Sequence, residues 1–286
     1  MKRMAITKKH KIAILIGVLV LSVGFTAFFA VNLALEMRMR QSGQAFYESL
    51  PVSFVPRPSP ATPDQRPDAT RPPVAGNNNG YSNGNGYGDP EDSEHEPVLD
   101  FDAMRESFPD MVAWIQSYGT QINYPVVQGR DNDFYLNHLP DKTKHRMGSV
   151  FLDYRNSMNF TDPNIFIYGH NMETDDIFSS FLRYREQRYF ERHDSMYLFT
   201  PTADYVIQLF AGYILDATYE TPPMRFSGEE AFTRFVSDIR LRSVFRSGVE
   251  IAYGDQLVFL CTCIPRGFRT SQSERFVLVG KLVIVE

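Results

Sequence analysis

Apolar residues are concentrated in one long run near the start of the chain. Residues 12–35 contain no charged side chain over 24 positions, which exceeds the roughly 20 residues that a helix needs to cross a bilayer. The apolar part of a cleaved signal peptide is shorter, about 7–15 residues. The run therefore predicts an uncleaved transmembrane helix, with a buried core helix as the alternative.

The charges on either side of this run predict its orientation. Five Lys and Arg residues precede it, whereas Arg38 and Arg40 follow it. Because the more positively charged flank stays on the cytoplasmic side, residues 1–11 are expected to form a cytoplasmic tail. Everything after residue 35 then lies outside the cytoplasm, so we expect a single-pass protein of the cell membrane.

The composition changes after the apolar run. Residues 36–50 are expected to continue the helix briefly beyond the membrane. Residues 51–97 are rich in Pro and then in Gly and Asn, and such a segment cannot bury enough apolar surface to fold. Residues 36–97 are therefore interpreted as a juxtamembrane segment followed by a disordered stalk.

Residues 98–286 show the short apolar runs of a folded domain. Runs bounded by Gly, Pro, Asn or Asp predict strands at 111–115, 122–127, 148–152, 165–168, 196–200, 205–215, 257–263 and 275–285. Helical spacing predicts helices at 100–108, 131–139, 175–184 and 227–242, the last with a capping box from Ser227 to Glu230. Many short strands favour a mainly β fold with helices, either a barrel or a sandwich.

The charge balance excludes one class of partner. The formal net charge is −5, and the first eleven residues carry five positive charges, so residues 12–286 carry −10. Nucleic acids select basic surfaces. No nucleic-acid partner is therefore expected.

The chain has two cysteines, Cys261 and Cys263, at the end of the predicted strand 257–263. A disulfide between positions i and i+2 is strained, and a Cys-x-Cys pair without a second ligand cluster is weak evidence for zinc. We expect no metal ion and no cofactor. Cys263 is the first candidate nucleophile, because a thiol becomes reactive beside a base or a cation. The alternative is a buried, inert cysteine.

Two further residues could assist such a thiol. His170 follows a buried strand and a glycine, a position that suits an acid or base, although a structural histidine is an equal alternative. Arg275 opens the last predicted strand and could stabilise an oxyanion. Arg266 and Arg269 compete with it, but they lie in a loop, whereas a strand fixes the direction of a side chain.

Several separated motifs resemble the active-site motifs of sortases. They are LCTC at residues 260–263, IYGHN at 167–171 and RFVLVGK at 275–281. YPVVQGRDNDFYLN at 124–137 and GSVFLDYRN at 148–156, with the long helix before the cysteine strand, are similar to class B in particular. The family pattern TLxTC reads FLCTC here, so its first Thr is Phe and its variable position is Cys261.

This resemblance implies a closed eight-stranded sortase-type β-barrel over residues 98–286, with an N-terminal helix. It implies a cysteine transpeptidase on the outer face of a Gram-positive membrane. Cys263 would attack the carbonyl after the Thr of a C-terminal sorting signal and form a thioester. His170 would be the acid and base, and Arg275 would stabilise the oxyanion. Residues expected to line the substrate groove by the same resemblance are Asn137, Tyr168, Cys261 and Thr262.

The partners implied by the resemblance are secreted proteins with a sorting signal, an amine of the peptidoglycan cross-bridge or its lipid-linked precursor, and membrane lipid. Three alternatives remain open from the sequence. A pilin-polymerising sortase is the first, and an extracellular cysteine peptidase outside the sortases is the second. The order of His170 before Cys263 argues against a papain-like enzyme, which has its cysteine first. The third is a membrane-tethered binding module without catalysis.

Overall fold

The strands of the folded domain close into one barrel. The computed structural model describes residues 8–50, 99–172, 176–218, 220–263 and 273–285. Around the barrel the order is β1-β2-β3-β4-β7-β8-β6-β5, and only the pairs β2–β3 and β4–β7 are parallel among them. The strands are β1 Met111–Gln116, β2 Asn123–Val127, β3 Val150–Leu152, β4 Asn164–Tyr168, β5 Ser195–Phe199, β6 Asp204–Asp216, β7 Leu257–Cys263 and β8 Glu274–Ile284. The expected closed, eight-stranded, mainly β fold is confirmed.

Side-chain alternation along the strands builds two apolar layers. On β7, Val258 and Leu260 pack into the cluster that fills the barrel. Phe259 and Cys261 point the other way, into a second cluster on the outer face of the sheet. That outer cluster is covered by the apolar stripe of helix α4 (Glu229–Arg242), which consists of Phe232, Val236 and Ile239.

Three other α-helices precede α4 in the described residues, α1 Lys8–Glu48, α2 Phe101–Ser107 and α3 Gln187–Arg192. The stretch Leu15–Glu48 of α1 is long and apolar enough to cross a membrane. The helix continues without a break through residues 36–48. The segment interpreted as a stalk, residues 51–97, lies outside the described residues.

Two expected helices are not α-helices. In the segment 131–139 a short 3₁₀ helix forms, Phe134–Leu136. In the segment 175–184, whose first residue is outside the described residues, a 3₁₀ helix spans Ser179–Arg185. An α-helix cannot run through Ile177 because that residue has a positive φ of 53°, the left-handed conformation.

The expected capping box before α4 is wrong. The cap residue is Gly228, and no side chain caps the first turn. Glu229 and Glu230 instead lie in that first turn, where negative charge is stabilised by the helix dipole.

Candidate active site

The ends of β7 and β8 bring the candidate nucleophile and the candidate oxyanion group together. Cys263, the last residue of β7, is the direct register partner of Arg275 on the antiparallel strand β8. Register partners have Cβ atoms about 4.5–5.5 Å apart and point to the same face. The thiol and the guanidinium therefore share the outer face of the sheet.

His170 follows on the other side of β7. The parallel register of β4 and β7 ends with Tyr168 opposite Cys261, and the N–H of Gly169 donates to the carbonyl of Cys261 at 3.1 Å, which continues the ladder. His170 is two residues beyond Tyr168, as Cys263 is two residues beyond Cys261, so both follow the last paired residues of β4 and β7. The same end of the neighbouring strands β4, β7 and β8 therefore carries a row of three candidate residues, His170, Cys263 and Arg275.

A backbone carbonyl orients the His170 ring. Nε2 of His170 lies 2.5 Å from the carbonyl oxygen of Leu136. Because a carbonyl oxygen only accepts, this contact places a proton on Nε2, and Nδ1 is then the nitrogen that can exchange a proton. The segment that contains Asn137 thus contributes directly to the geometry of His170.

The two cysteines have different environments. Cys263 is half-buried, whereas Cys261 is only 6% exposed. Burial raises the pKa of the Cys261 thiol to about 12, although the charge of Arg275 opposes this. Cys261 therefore remains a neutral thiol beneath the row that contains Cys263.

The four residues expected to line the groove are placed differently. Asn137 is exposed and Tyr168 is half-buried, so both have surface that is open to solvent. Cys261 is buried, and Thr262 alternates to the interior face with only 2% of its surface exposed. The side chains of Cys261 and Thr262 are therefore not at the surface of the groove, because one lies under it and the other faces the barrel interior.

The competing arginines Arg266 and Arg269 lie outside the described residues, as does the rest of the loop 264–272. Arg275 is half-buried, and its Nη1 donates to the backbone carbonyl of Glu274 at 3.1 Å. Its place in the row follows from strand pairing and does not depend on that loop.

The sequence reasoning did not single out Asp153, a fully buried carboxylate beside this row. Tyr168 donates its hydroxyl to Asp153 Oδ2 at 2.9 Å, and Arg155 donates to it at 2.7 Å. Asn132 Nδ2 is a third donor, at 2.9 Å. Burial opposes the charge, but these hydrogen bonds, first those from Arg155, lower the pKa of Asp153.

A sequence signal for Asp153 did exist. It directly follows the apolar run of β3 and stands two residues before Arg155, an arrangement in which a carboxylate at a strand end can accept from an arginine. Burial, followed by the nearby Cys261 and Asp153, raises the pKa of Tyr168. Its phenol therefore stays protonated and donates to the carboxylate.

No family model matches the chain. Sortase B of Listeria monocytogenes is 32% identical over 174 residues, which are 61% of this chain and 70% of that protein. Among solved structures, the Staphylococcus aureus sortase B–substrate complex has a TM-score of 0.61 and 28% identity, and the match covers 65% of this chain and 85% of that one. A sortase B complexed with triglycine has a TM-score of 0.59 and 29% identity, with 65% and 86% covered.

These similarities and the barrel confirm the class B sortase that the sequence motifs indicated. The two matches cover 61% and 65% of this chain, and 70% and 85% of the relatives. A cysteine peptidase outside the sortases and a binding module without catalysis are therefore set aside. The chain belongs to the class B sortases and is a sortase cysteine transpeptidase.

Proposed function

We propose that this transpeptidase cleaves a C-terminal sorting signal after a Thr and transfers the new carboxyl end to an amine of the peptidoglycan cross-bridge or of its lipid-linked precursor. The observation that carries the proposal is the pairing of Cys263 with Arg275 at the ends of β7 and β8, with His170 on the next segment. A nucleophile, an acid and base, and a cation in one row are the groups that acyl transfer needs.

In the proposed acylation step, Cys263 Sγ, as the thiolate, attacks the carbonyl carbon of the Thr. The Arg275 guanidinium stabilises the negative charge that develops on the carbonyl oxygen. His170 then gives its proton to the leaving nitrogen, so that the C–N bond breaks while the C–S bond of the thioester remains. The shorter peptide leaves with a new amino end.

In the proposed second step, an incoming amine replaces the leaving one. His170, now without its extra proton, accepts a proton from the amine as nitrogen attacks the thioester. The C–S bond breaks, an amide forms and Cys263 leaves as the thiolate beside Arg275. The sortase B that was solved with triglycine supports an amino acceptor for this chain.

Substrate contacts are proposed for two of the residues named from the sequence. Asn137 is exposed beside Leu136, whose carbonyl accepts from His170, and Tyr168 lies in the row directly below. A peptide bound along this row would contact both. Cys261 and Thr262 would affect the substrate through the backbone of β7, since their side chains are buried.

We also propose that residues 12–35 of α1 anchor the enzyme in the membrane, with residues 1–11 cytoplasmic and the catalytic domain outside the cell. The length and apolar character of α1 support the anchor, and the positive charges before residue 12 support the orientation. Secreted proteins that are still held at the membrane would then pass the site.

The test is a cleavage assay on the full chain with a library of sorting-signal peptides. Cleavage after Thr, an acyl-enzyme on the Cys263 peptide in mass spectrometry and ligation to an added amine are the expected results. Cys263→Ala should abolish both cleavage and the acyl-enzyme.

Cys261→Ser is the matched control, because it alters the other cysteine two residues away. It should keep most of the activity, since Cys261 is buried and neutral. An acyl-enzyme that persists in Cys263→Ala, or hydrolysis that never yields an amide when amine is added, would contradict the proposal.

A further inference from the structure

Residues 36–48 of α1, called here the juxtamembrane helix, have polar contacts with the barrel domain. Nε2 of His145 lies 2.9 Å from the carbonyl oxygen of Met39 and 3.3 Å from the hydroxyl of Ser42. Tyr47 donates its hydroxyl to the carbonyl of Gly148 at 2.9 Å. These contacts hold the turn 145–148, which connects the 3₁₀ segment Phe134–Leu136 to β3.

The same helix face packs closely on this turn. A Cβ atom at Gly43 would lie 2.6 Å from His145 Cε1 and 2.9 Å from Met147 Cε. Such distances are shorter than van der Waals contact, so a side chain at position 43 would have to displace the ends of the His145 and Met147 side chains. The ring of Tyr47 also contacts that of Tyr124, with ring centres 5.0 Å apart at a near-perpendicular angle.

The turn 145–148 is connected by hydrogen bonds to the segment that orients the His170 ring. The N–H of His145 donates to the carbonyl of Asn137 at 2.9 Å. The neighbouring carbonyl, that of Leu136, is the acceptor for His170 Nε2. A displacement of the turn 145–148 would therefore move the group that orients the His170 ring.

A second path from the helix leads to the backbone of His170. Gln44 Nε2 donates to the carboxylate of Asp176 at 3.1 Å. The N–H of Ile177 donates to the Tyr124 hydroxyl at 3.0 Å. The N–H of Phe178 donates to the carbonyl of His170 at 3.1 Å.

We propose that the juxtamembrane helix is a positioning element for the reaction, which holds His170 beside Cys263 through the turn 145–148 and the segment 176–178. The inference rests on the role of His170 given under the proposed function. Because Gly43 is eight residues beyond residue 35, the docking point lies about 12 Å along the helix from the end of the apolar segment. The distance from the active site to the membrane is then set by the juxtamembrane helix, which ends before residue 51.

Under this proposal the juxtamembrane helix, and not the stalk expected over residues 51–97, sets the distance between the membrane and the barrel. The barrel is already docked on α1 before that segment starts, and α2 follows it on the same compact unit as α1. Membrane-held substrates and a lipid-linked amine would therefore meet a site at a short, fixed height.

The test compares two glycines of α1 in the full chain, in detergent or lipid nanodiscs. Gly43→Leu forces a side chain into His145 and Met147, whereas a Cβ at Gly24 meets nothing within 4 Å, so Gly24→Leu is the matched control. Gly43→Leu should lower kcat by about 10- to 100-fold, as small misplacements of a catalytic group do, with little change in KM. It should also change the pH profile of Cys263 alkylation, which needs no sorting signal.

Tyr47→Phe decides the question if Gly43→Leu does not fold, since it removes one hydroxyl and keeps the ring. It should lower kcat by up to about fivefold, the equivalent of one hydrogen bond, and shift the alkylation profile in the same direction. The inference is overturned if the variant that folds matches Gly24→Leu or the unchanged chain in kcat and in the alkylation profile. Failure of the proposed function looks different, because Cys263→Ala would then remain active.

Discussion

Cys263 and Arg275 are register partners across β7 and β8, so the backbone ladder places their Cβ atoms side by side on one face of the sheet. The antiparallel register runs for seven pairs from Leu257 opposite Lys281 to this last pair. A slip of one residue would turn Arg275 to the other face. The face to which Arg275 points is therefore set by the same register that builds the core between the two strands.

Arg275→Ala should impair catalysis far more than folding. Loss of one oxyanion donor lowers kcat by about 10²–10³-fold in other enzymes of acyl transfer, and we expect a decrease of this order with KM changed little. Arg275→Lys should recover part of the rate, since it retains the charge but loses the fork of donors. Steady-state kinetics of peptide cleavage and the midpoint of thermal unfolding check both statements.

Arg234→Ala is the control for this substitution. Arg234 lies on α4, is 74% exposed and pairs with Glu230, so its removal should leave kcat unchanged. An Arg275→Ala enzyme with the same kcat as the Arg234→Ala enzyme would show that the guanidinium does not touch the reacting carbonyl.

The two cysteines should differ in their reaction with iodoacetamide. Only the thiolate reacts, and burial raises the pKa of Cys261 to about 12, so its neutral form persists at all pH values well below that. We expect modification of Cys263 alone in the folded protein between about pH 6 and pH 9, with Cys261 modified only after denaturation. Peptide mapping by mass spectrometry measures each site. Modification of Cys261 in the folded protein would mean that the apolar cluster on the outer face of β7 opens.

The strands could be predicted because each is a short apolar run between turn-forming residues. The last pair shows this well, since 257–263 coincides with β7 and 275–285 differs from β8 by one residue at each end. The helix expected around Ile177 failed for a reason that lies outside the local sequence. Its positive φ accompanies a hydrogen bond from its N–H to the Tyr124 hydroxyl, 53 residues earlier in the chain.

The candidate site could be predicted only in part, because its geometry also depends on contacts between segments that are far apart in the sequence. The residue types of Cys263 and His170 and their places at strand ends suggested chemistry, but their juxtaposition depends on the parallel register of β4 and β7. That register joins segments about 93 positions apart, and no local pattern encodes it. The docking of residues 36–48 on the turn 145–148 is equally non-local, so the sequence indicated only a helix that continues.

Asp153→Asn should lower stability and remove part of its dependence on pH. The folded-state pKa of Asp153 is lowered from the ordinary 3.8, so its stabilising contribution is present above the unfolded-state pKa and is lost as the pH falls through the folded-state value. Arg155 is 41% exposed, so solvent screens the pair, and we expect a loss of about 2 kcal/mol in the free energy of unfolding at pH 7.

Denaturant unfolding at several pH values from 7 down to about 3 measures this effect. The gap between the unchanged chain and Asp153→Asn should narrow as the pH falls. Asp102→Asn is the control, because the Asp102 side chain is 98% exposed. A gap that stays constant with pH would show that Asp153 acts by packing and not by charge.

Gly148→Ala should reduce both stability and turnover. Gly148 has a φ of +61°, and an added Cβ would lie 2.7 Å from the carbonyl oxygens of Tyr135 and Leu136. The left-handed conformation alone costs a non-glycine residue about 1–2 kcal/mol, and the overlap must also displace the Leu136 carbonyl that orients His170. We therefore expect a lower unfolding midpoint and a kcat reduced by about tenfold or more, because a small shift of an acid or base is enough.

Gly254→Ala separates the two parts of this effect. Gly254 also has a positive φ, +101°, but a Cβ there meets nothing within 4 Å. Both variants bear a conformational cost, so both should have lower unfolding midpoints, while only Gly148→Ala should lose turnover. Equal turnover in the two variants would mean that His170 keeps its orientation without the Leu136 carbonyl. A loss confined to Gly148→Ala would link the tight turn at the start of β3 to the proton transfer at His170.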